Sequence, residues 1–175
     1  MTIIPAMDTP ANDFGRAISI DAEAVGQPGN RRFRILVQSA GRCASVWMEK
    51  QQLAGIGEWF DETVQRLDRE QPGTEPDEEP GPIAAIYDVE FTVGQIGLGY
   101  LEDERLFALQ CFDLQSSTQN PAFRCLLSRG QARVLSAKIV RVVAGGRPIC
   151  PLCSMPMEPE GHHCARSNGH SAPVA

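Results

Sequence analysis

Residues 17–48 read AISIDAEAVGQPGNRRFRILVQSAGRCASVWM, and the period within them decides the fold class. Over Ala17–Val25, Ile18, Ile20, Ala22 and Ala24 fall on one face, with Ser19, Asp21 and Glu23 on the other. A period of two marks a strand buried on one side and wet on the other. Gly26-Gln27-Pro28-Gly29-Asn30 supplies turn chemistry, because glycine reaches positive φ and proline fixes φ. Phe33–Gln38 and Cys43–Met48 are β-branched or aromatic runs joined by Ser39-Ala40-Gly41-Arg42. Three strands in an antiparallel meander are expected.

After Met48 the period changes. Leu53, Ile56, Phe60, Val64 and Leu67 recur every three or four residues, which predicts a helix over about Lys50–Arg69, its stripe widened by Trp59. Gly55 and Gly57 each cost about 1 kcal/mol in a helix interior, so close approach to a sheet is expected there. Gln71–Pro82 (QPGTEPDEEPGP) holds four prolines and four acids and reads as an exposed, solvated acidic loop.

Strand signals then return. Tyr87, Val89, Phe91 and Val93 alternate with acids and threonine, and Gly94–Leu101 and Leu106–Leu114 read as a hairpin around Glu102-Asp103-Glu104-Arg105. Arg124–Leu127 adds a short strand. Ser128 is the expected N-cap of a second helix running to Val143, with Leu135, Ile139 and Val142 buried and Arg129 and Arg133 on an exposed face. Ala144-Gly145-Gly146-Arg147-Pro148 ends it.

Strand runs with two segregated helices imply an α+β fold. The expected form is an antiparallel sheet covered on one face by two helices, with a small C-terminal zinc-knuckle tail. Residues 1–16 are expected to be a flexible N-terminus, 17–147 the α+β domain with its acidic loop at 71–82, and 148–175 the zinc-binding tail.

Composition narrows the chemistry. All three histidines, His162, His163 and His170, lie within the last 14 of 175 residues, so histidine-dependent catalysis is excluded from the rest. The net charge of −6 disfavours non-specific nucleic-acid binding, although seven basic residues from Arg124 to Arg166 make the C-terminal third locally basic. No apolar run approaches the ~18 residues of a membrane-spanning helix, and Met1–Phe14 lacks the pattern of a signal peptide. A soluble cytoplasmic protein without a membrane partner is expected.

Chemistry concentrates in the tail, C-P-L-C-S-M-P-M-E-P-E-G-H-H-C-A-R-S-N-G-H over residues 150–170. Cys150 and Cys153 form a C-x-x-C whose turn can aim backbone amides at the thiolates, and His162, His163 and Cys164 follow. Two close ligand pairs joined by a proline-stiffened loop suit tetrahedral zinc. Cys150, Cys153, His162 and Cys164 are the expected ligands of a structural site, with His163 and His170 as alternatives that spacing does not separate. A redox C-x-x-C would open a helix, which Pro156 and Pro159 oppose, and a disulfide does not fit a chain with no export signal. Cys43, Cys111 and Cys125 read as core residues, as do Trp47 and Trp59. Gly94-x-x-Gly97-x-Gly99 reverses the dinucleotide order and reads as a bulged strand.

The chain resembles, over nearly all its length, an uncharacterised bacterial family of unknown function best known from actinobacteria. The likeness is carried by Gly26-Gln27-Pro28-Gly29-Asn30-Arg31, by Trp47–Leu53, by Ala144-Gly145-Gly146-Arg147-Pro148, and by the tail C-x-x-C…E-G-H-x-C-x-R-x-N-G. In that pattern the histidine directly follows the glycine, which implies His162 rather than His163, and the position of His170 is usually aromatic. Proline is common where this chain has Ala165, a departure that touches the turn and not the metal. The resemblance brings no established activity.

The leading expectation is a non-catalytic adaptor with a protein partner, contacted through Arg147, Arg166 and Asn168 beside the metal, since arginine bonds carboxylate or phosphate bidentately. The alternative is an enzyme or binding module for a small phosphorylated or nucleotide ligand, using Glu49, Asp88 or Glu90 as acids and Arg31, Arg32 or Arg34 as anion binders. Edge protection of a hairpin explains those arginines, with Arg42 nearby, without a ligand. A third reading binds nucleic acid through the tail and Arg129/Arg133.

Overall fold

The computed structural model describes residues 10–27, 30–71, 75–118, 120–145, 150–153 and 164. The chain runs β1 (Asp13–Arg16), β2 (Ser19–Val25), β3 (Arg32–Ser39), β4 (Arg42–Met48), α1 (Lys50–Glu70), β5 (Val89–Leu101), β6 (Leu106–Asp113), β7 (Phe123–Leu127) and α2 (Arg129–Val143). The expected meander forms, with Ala22 opposite Ile35 and Ile35 opposite Val46. Alternate residues of every strand from β2 to β7, among them Ile20, Ile35, Val46, Val93, Leu109 and Cys125, join the buried stripes of both helices in one core.

The seven strands form one sheet in the order β1-β7-β6-β5-β4-β3-β2, and the sheet is mixed rather than antiparallel. Val46 of β4 pairs with Phe91 of β5 in parallel, and Asp13 of β1 pairs with Arg124 of β7 in parallel. The first pairing follows from α1: a helix-length crossover between neighbouring strands returns the chain in its original direction. The expected hairpin is the end of a longer β5, which shifts register between Val93 and Gln95, beside Gly94.

The second pairing places Asp13–Arg16, part of the segment expected to be flexible, in the sheet as β1, while residues 1–9 lie outside the described residues. Phe14 is buried and packs on Phe123, ring centroids 4.9 Å apart, and Asp13 pairs with Arg124. Only Ala17 and Ile18 separate β1 from β2. Ala17 N–H donates to the Leu126 carbonyl of β7 and Ile18 N–H to the Gln38 carbonyl of β3, each at 2.8 Å. Two neighbouring residues thus touch strands near opposite ends of the sheet, so the sheet curls until those ends meet.

Both helices start where the sequence places them. Glu49 caps α1, its N–H donating to Gln52 Oε1 at 2.9 Å. Ser128 caps α2, its Oγ accepting from Gln131 N–H at 3.1 Å. Gly57 is small for a reason other than contact with the sheet. A methyl group on it would lie 2.7 Å from Ile139 Cγ2, so it is the point where α1 and α2 touch.

The acidic segment is not simply a solvated connector, and Arg129 is not on an exposed face. Arg129 is 0% exposed. Its guanidinium donates to Asp68 Oδ1 and to the Gln71 carbonyl, both at 3.3 Å, and its backbone N–H donates to Glu75 Oε2 at 3.3 Å. Arg133 pairs with Asp77 at 2.7 Å and with Asp68 at 3.1 Å, while Ser128 Oγ donates to Glu78 Oε1 at 2.7 Å. The α2 N-terminus lacks acids of its own, and the loop supplies the negative charge that a helix N-terminus favours. Gly130 permits the contact, since a Cβ there would collide with the Pro76 carbonyl.

Removing one member of a buried ion pair typically costs 3–5 kcal/mol; because Asp68 is partly exposed, Arg129→Ala should lower the unfolding free energy by about 3 kcal/mol. Asp77→Asn, at an exposed partner, should cost less than about 1 kcal/mol. Urea denaturation with an unchanged m-value measures both.

Candidate metal centre

The residues that bear metal-ligand chemistry are Cys150, Cys153 and Cys164. Cys150 and Cys164 are buried and Cys153 is partly exposed; they form a cluster separate from the main core. Their three Sγ atoms lie within 4.8 Å of one another. Cys150 Sγ and Cys164 Sγ are 3.8 Å apart. A disulfide would need about 2.05 Å. A tetrahedral ion with metal–thiolate bonds of about 2.3 Å sets its sulfurs roughly 3.8 Å apart. The spacing therefore matches thiolates around one ion.

The C-x-x-C turn prepares the donor. Burial pushes the Cys150 thiol up, but the backbone N–H groups of Cys153 and Leu152 and the neighbouring thiols of Cys153 and Cys164 outweigh it. The net shift is below the ordinary thiol range, and it favours the thiolate that binds metal. Three soft donors in this arrangement can hold a metal ion. His162, His163 and His170, and the contacts Arg147, Arg166 and Asn168, lie outside the described residues.

The remaining cysteines are of the other kind. Cys43, Cys111 and Cys125 are buried in strands. Burial pushes Cys111 up to about 12. Cys125 is also raised, first by burial and then by Cys111 and Asp13.

Of the alternative acids and arginines, Glu90, Arg32 and Arg34 meet around Trp47 and Ser45, each already engaged in structural contacts, while Glu49 and Asp88 serve elsewhere. Glu49 caps α1. Asp88 Oδ2 accepts from Cys43 N–H at 2.8 Å. Glu90 Oε1 accepts from Trp47 Nε1 at 2.8 Å and Ser45 Oγ at 3.2 Å. Trp47 is not core but lies on the outer face, with Arg32 4.4 Å and Arg34 4.7 Å from its ring centroid. Arg34 also pairs with Glu23. Trp59 is half-buried and meets Phe107 edge-on, centroids 6.0 Å apart. The edge-protection reading fails because β3 is an interior strand; β2 lies outside it.

Sequence reasoning missed that Arg31 comes to Gly145, although it singled out both segments. No local signal links residues so far apart in the chain.

The family described as a protein of unknown function, DUF3090, matches residues 13–164. The chain belongs to this family. Neither a curated protein nor a solved structure matches it. The DUF3090 span begins at the first residue of β1 and ends at Cys164. The body and all three clustered cysteines thus fall within one family unit.

With iodoacetamide at pH 8, Cys111 and Cys125 should stay unmodified in the native protein and react fully in denaturant, as their burial and raised pKa values require. Peptide mass mapping reads the result.

Proposed function

We propose that the chain is a non-catalytic adaptor whose C-terminal tail is organised by one structural zinc ion, held by Cys150, Cys153, His162 and Cys164. The observation that carries this reading is the convergence of three thiols within 4.8 Å. Zinc is the metal of choice for a Cys₃His set, and four protein ligands leave no position for a catalytic water. A tail of this size cannot bury enough apolar surface to fold alone. Metal binding, about 10–16 kcal/mol in zinc-finger peptides, would supply the missing stability.

The adaptor assignment rests on what the other polar groups already do. Glu49, Asp88 and Glu90 are engaged in capping and strand contacts, and Arg129 and Arg133 are taken up by acids. The nucleic-acid reading thereby loses its helix surface. Arg147, Arg166 and Asn168 beside the zinc are the proposed contacts to carboxylate or phosphate groups of a protein partner. The proposed compartment is the cytoplasm, whose reducing conditions keep six cysteines as thiols. Among the described residues no helix is long and apolar enough to cross a membrane.

The test is affinity purification of intact protein, Cys150→Ser and a chain lacking residues 148–175, with metal measured by mass spectrometry. Intact protein should carry about one zinc per chain, the variant little, and the truncated chain should lose the partner. Full metal in Cys150→Ser rejects the site. Recovery of every partner by the truncated body rejects the adaptor role.

A strong chelator should make the tail protease-sensitive while leaving the cooperative melt of the body in place, because the two clusters of buried residues are separate. Limited proteolysis and circular dichroism distinguish this outcome from global unfolding.

A further inference from the structure

Gly26 and Arg31 from one segment singled out in the sequence, and Gly145 from another, come together in the fold. Between β2 and the C-terminal half of α2 lies a cleft of about 380 Å³, whose charged lining is Asp21, Glu23, Arg31, Lys138 and Arg141, with Gly145 at its end.

The charges in this cleft do not cancel. Lys138 Nζ holds Asp21 at 3.3 Å. Glu23 is held by Arg34, which is not part of the cleft lining. With both carboxylates engaged, Arg31 and Arg141 remain. Neither forms an ion pair with a described carboxylate; Arg141 makes one long bond, from Nε to the Ala137 carbonyl of its own helix at 3.4 Å. The partial charge of about −0.5 at the α2 C-terminus offsets part of one guanidinium, not two.

Gly145 fits this arrangement in two ways. It adopts φ +72°, a left-handed conformation that ends α2 and suits glycine. A methyl group on it would also come within 3.0 Å of Arg31 Nη1. The Arg31 guanidinium thus rests against the backbone at Gly145.

We propose that this cleft binds the phosphate group of a small phosphorylated ligand. Arg31 and Arg141 are the fork donors, while Lys138 stays paired with Asp21. Two guanidinium groups match a phosphate dianion better than a single carboxylate. Ala24 and Val142, also in the lining, offer apolar contact to the rest of the ligand. This site uses none of the cysteines and stands whether or not the zinc reading does.

The test is calorimetric titration of the full-length protein with inorganic phosphate at constant ionic strength, with acetate as the comparison anion. Phosphate should saturate one site. Arg31→Gln and Arg141→Gln should each weaken it about tenfold, the loss expected for a charge-assisted bond. Arg31→Lys keeps the charge without the fork and should also weaken binding. Arg66→Gln, an equal charge change on the exposed face of α1, should leave it unchanged. In the unaltered protein the Gly145 amide resonance should move as phosphate is added, a readout that does not depend on any variant folding.

Unchanged affinity in Arg31→Gln, an equal loss in Arg66→Gln, no saturable binding, or a silent Gly145 amide would each overturn the proposal. Acetate binding as tightly as phosphate would overturn the phosphate assignment.

Discussion

A guanidinium with no surface in water has to be met by acceptors carried to it. Arg129 imposes that demand at the start of α2, and much of the tertiary arrangement answers it. Asp68 and Gln71 come from the end of α1, which ties the C-terminus of one helix to the N-terminus of the next. Glu75 comes from the acidic segment and lays it across α2. From there the chain runs over the ends of β2, β3 and β4. Ser19 Oγ donates to the Gly81 carbonyl at 2.9 Å, Ala84 N–H to Gln38 Oε1 at 3.3 Å, and Asp88 N–H to the Cys43 carbonyl at 2.9 Å. It is delivered to β5 in the direction of β4. A segment rich in proline and acid has little apolar surface to guide it, so polar contacts set its route.

The body and the cysteine cluster differ in what they bury. The body buries one continuous set of aliphatic and aromatic residues shared by sheet and helices. Among the described residues the cysteine cluster holds only Cys150, Cys153 and Cys164, and its closest sulfur spacing suits one tetrahedral ion. The β2–α2 cleft lies on the body, so the two proposed sites draw on separate sources of stability.

Much of the fold could be read from residues and their near neighbours. Ile20 and Ala22 set the face of β2, the Leu53–Leu67 stripe placed α1, and Ser128 marked the start of α2 to the residue. The C-x-x-C and Cys164 were equally readable, because soft donors at short spacing are a chemical signature. Other features gave no such signal. Asp13–Arg16 is too short to show a period, and its partner β7 is 111 residues away at Asp13 and Arg124. Arg129 and Arg133 looked alike at helical spacing, yet one is wholly buried and the other partly exposed.

The sequence by itself determined the elements from β2 onward, the Ser128 cap of α2, the three-thiol chemistry of the tail and the absence of histidine from the body. Each depends on residues a few positions apart, where side-chain period and backbone capping act directly. Only the tertiary structure decided that β5 runs parallel to β4, that β1 curls the sheet, that Arg129 is buried and that Arg31 meets Gly145. Those outcomes depend on loop closures across tens of residues, whose cost varies only slowly with length. Long-range packing chooses among them, and no local pattern records the choice.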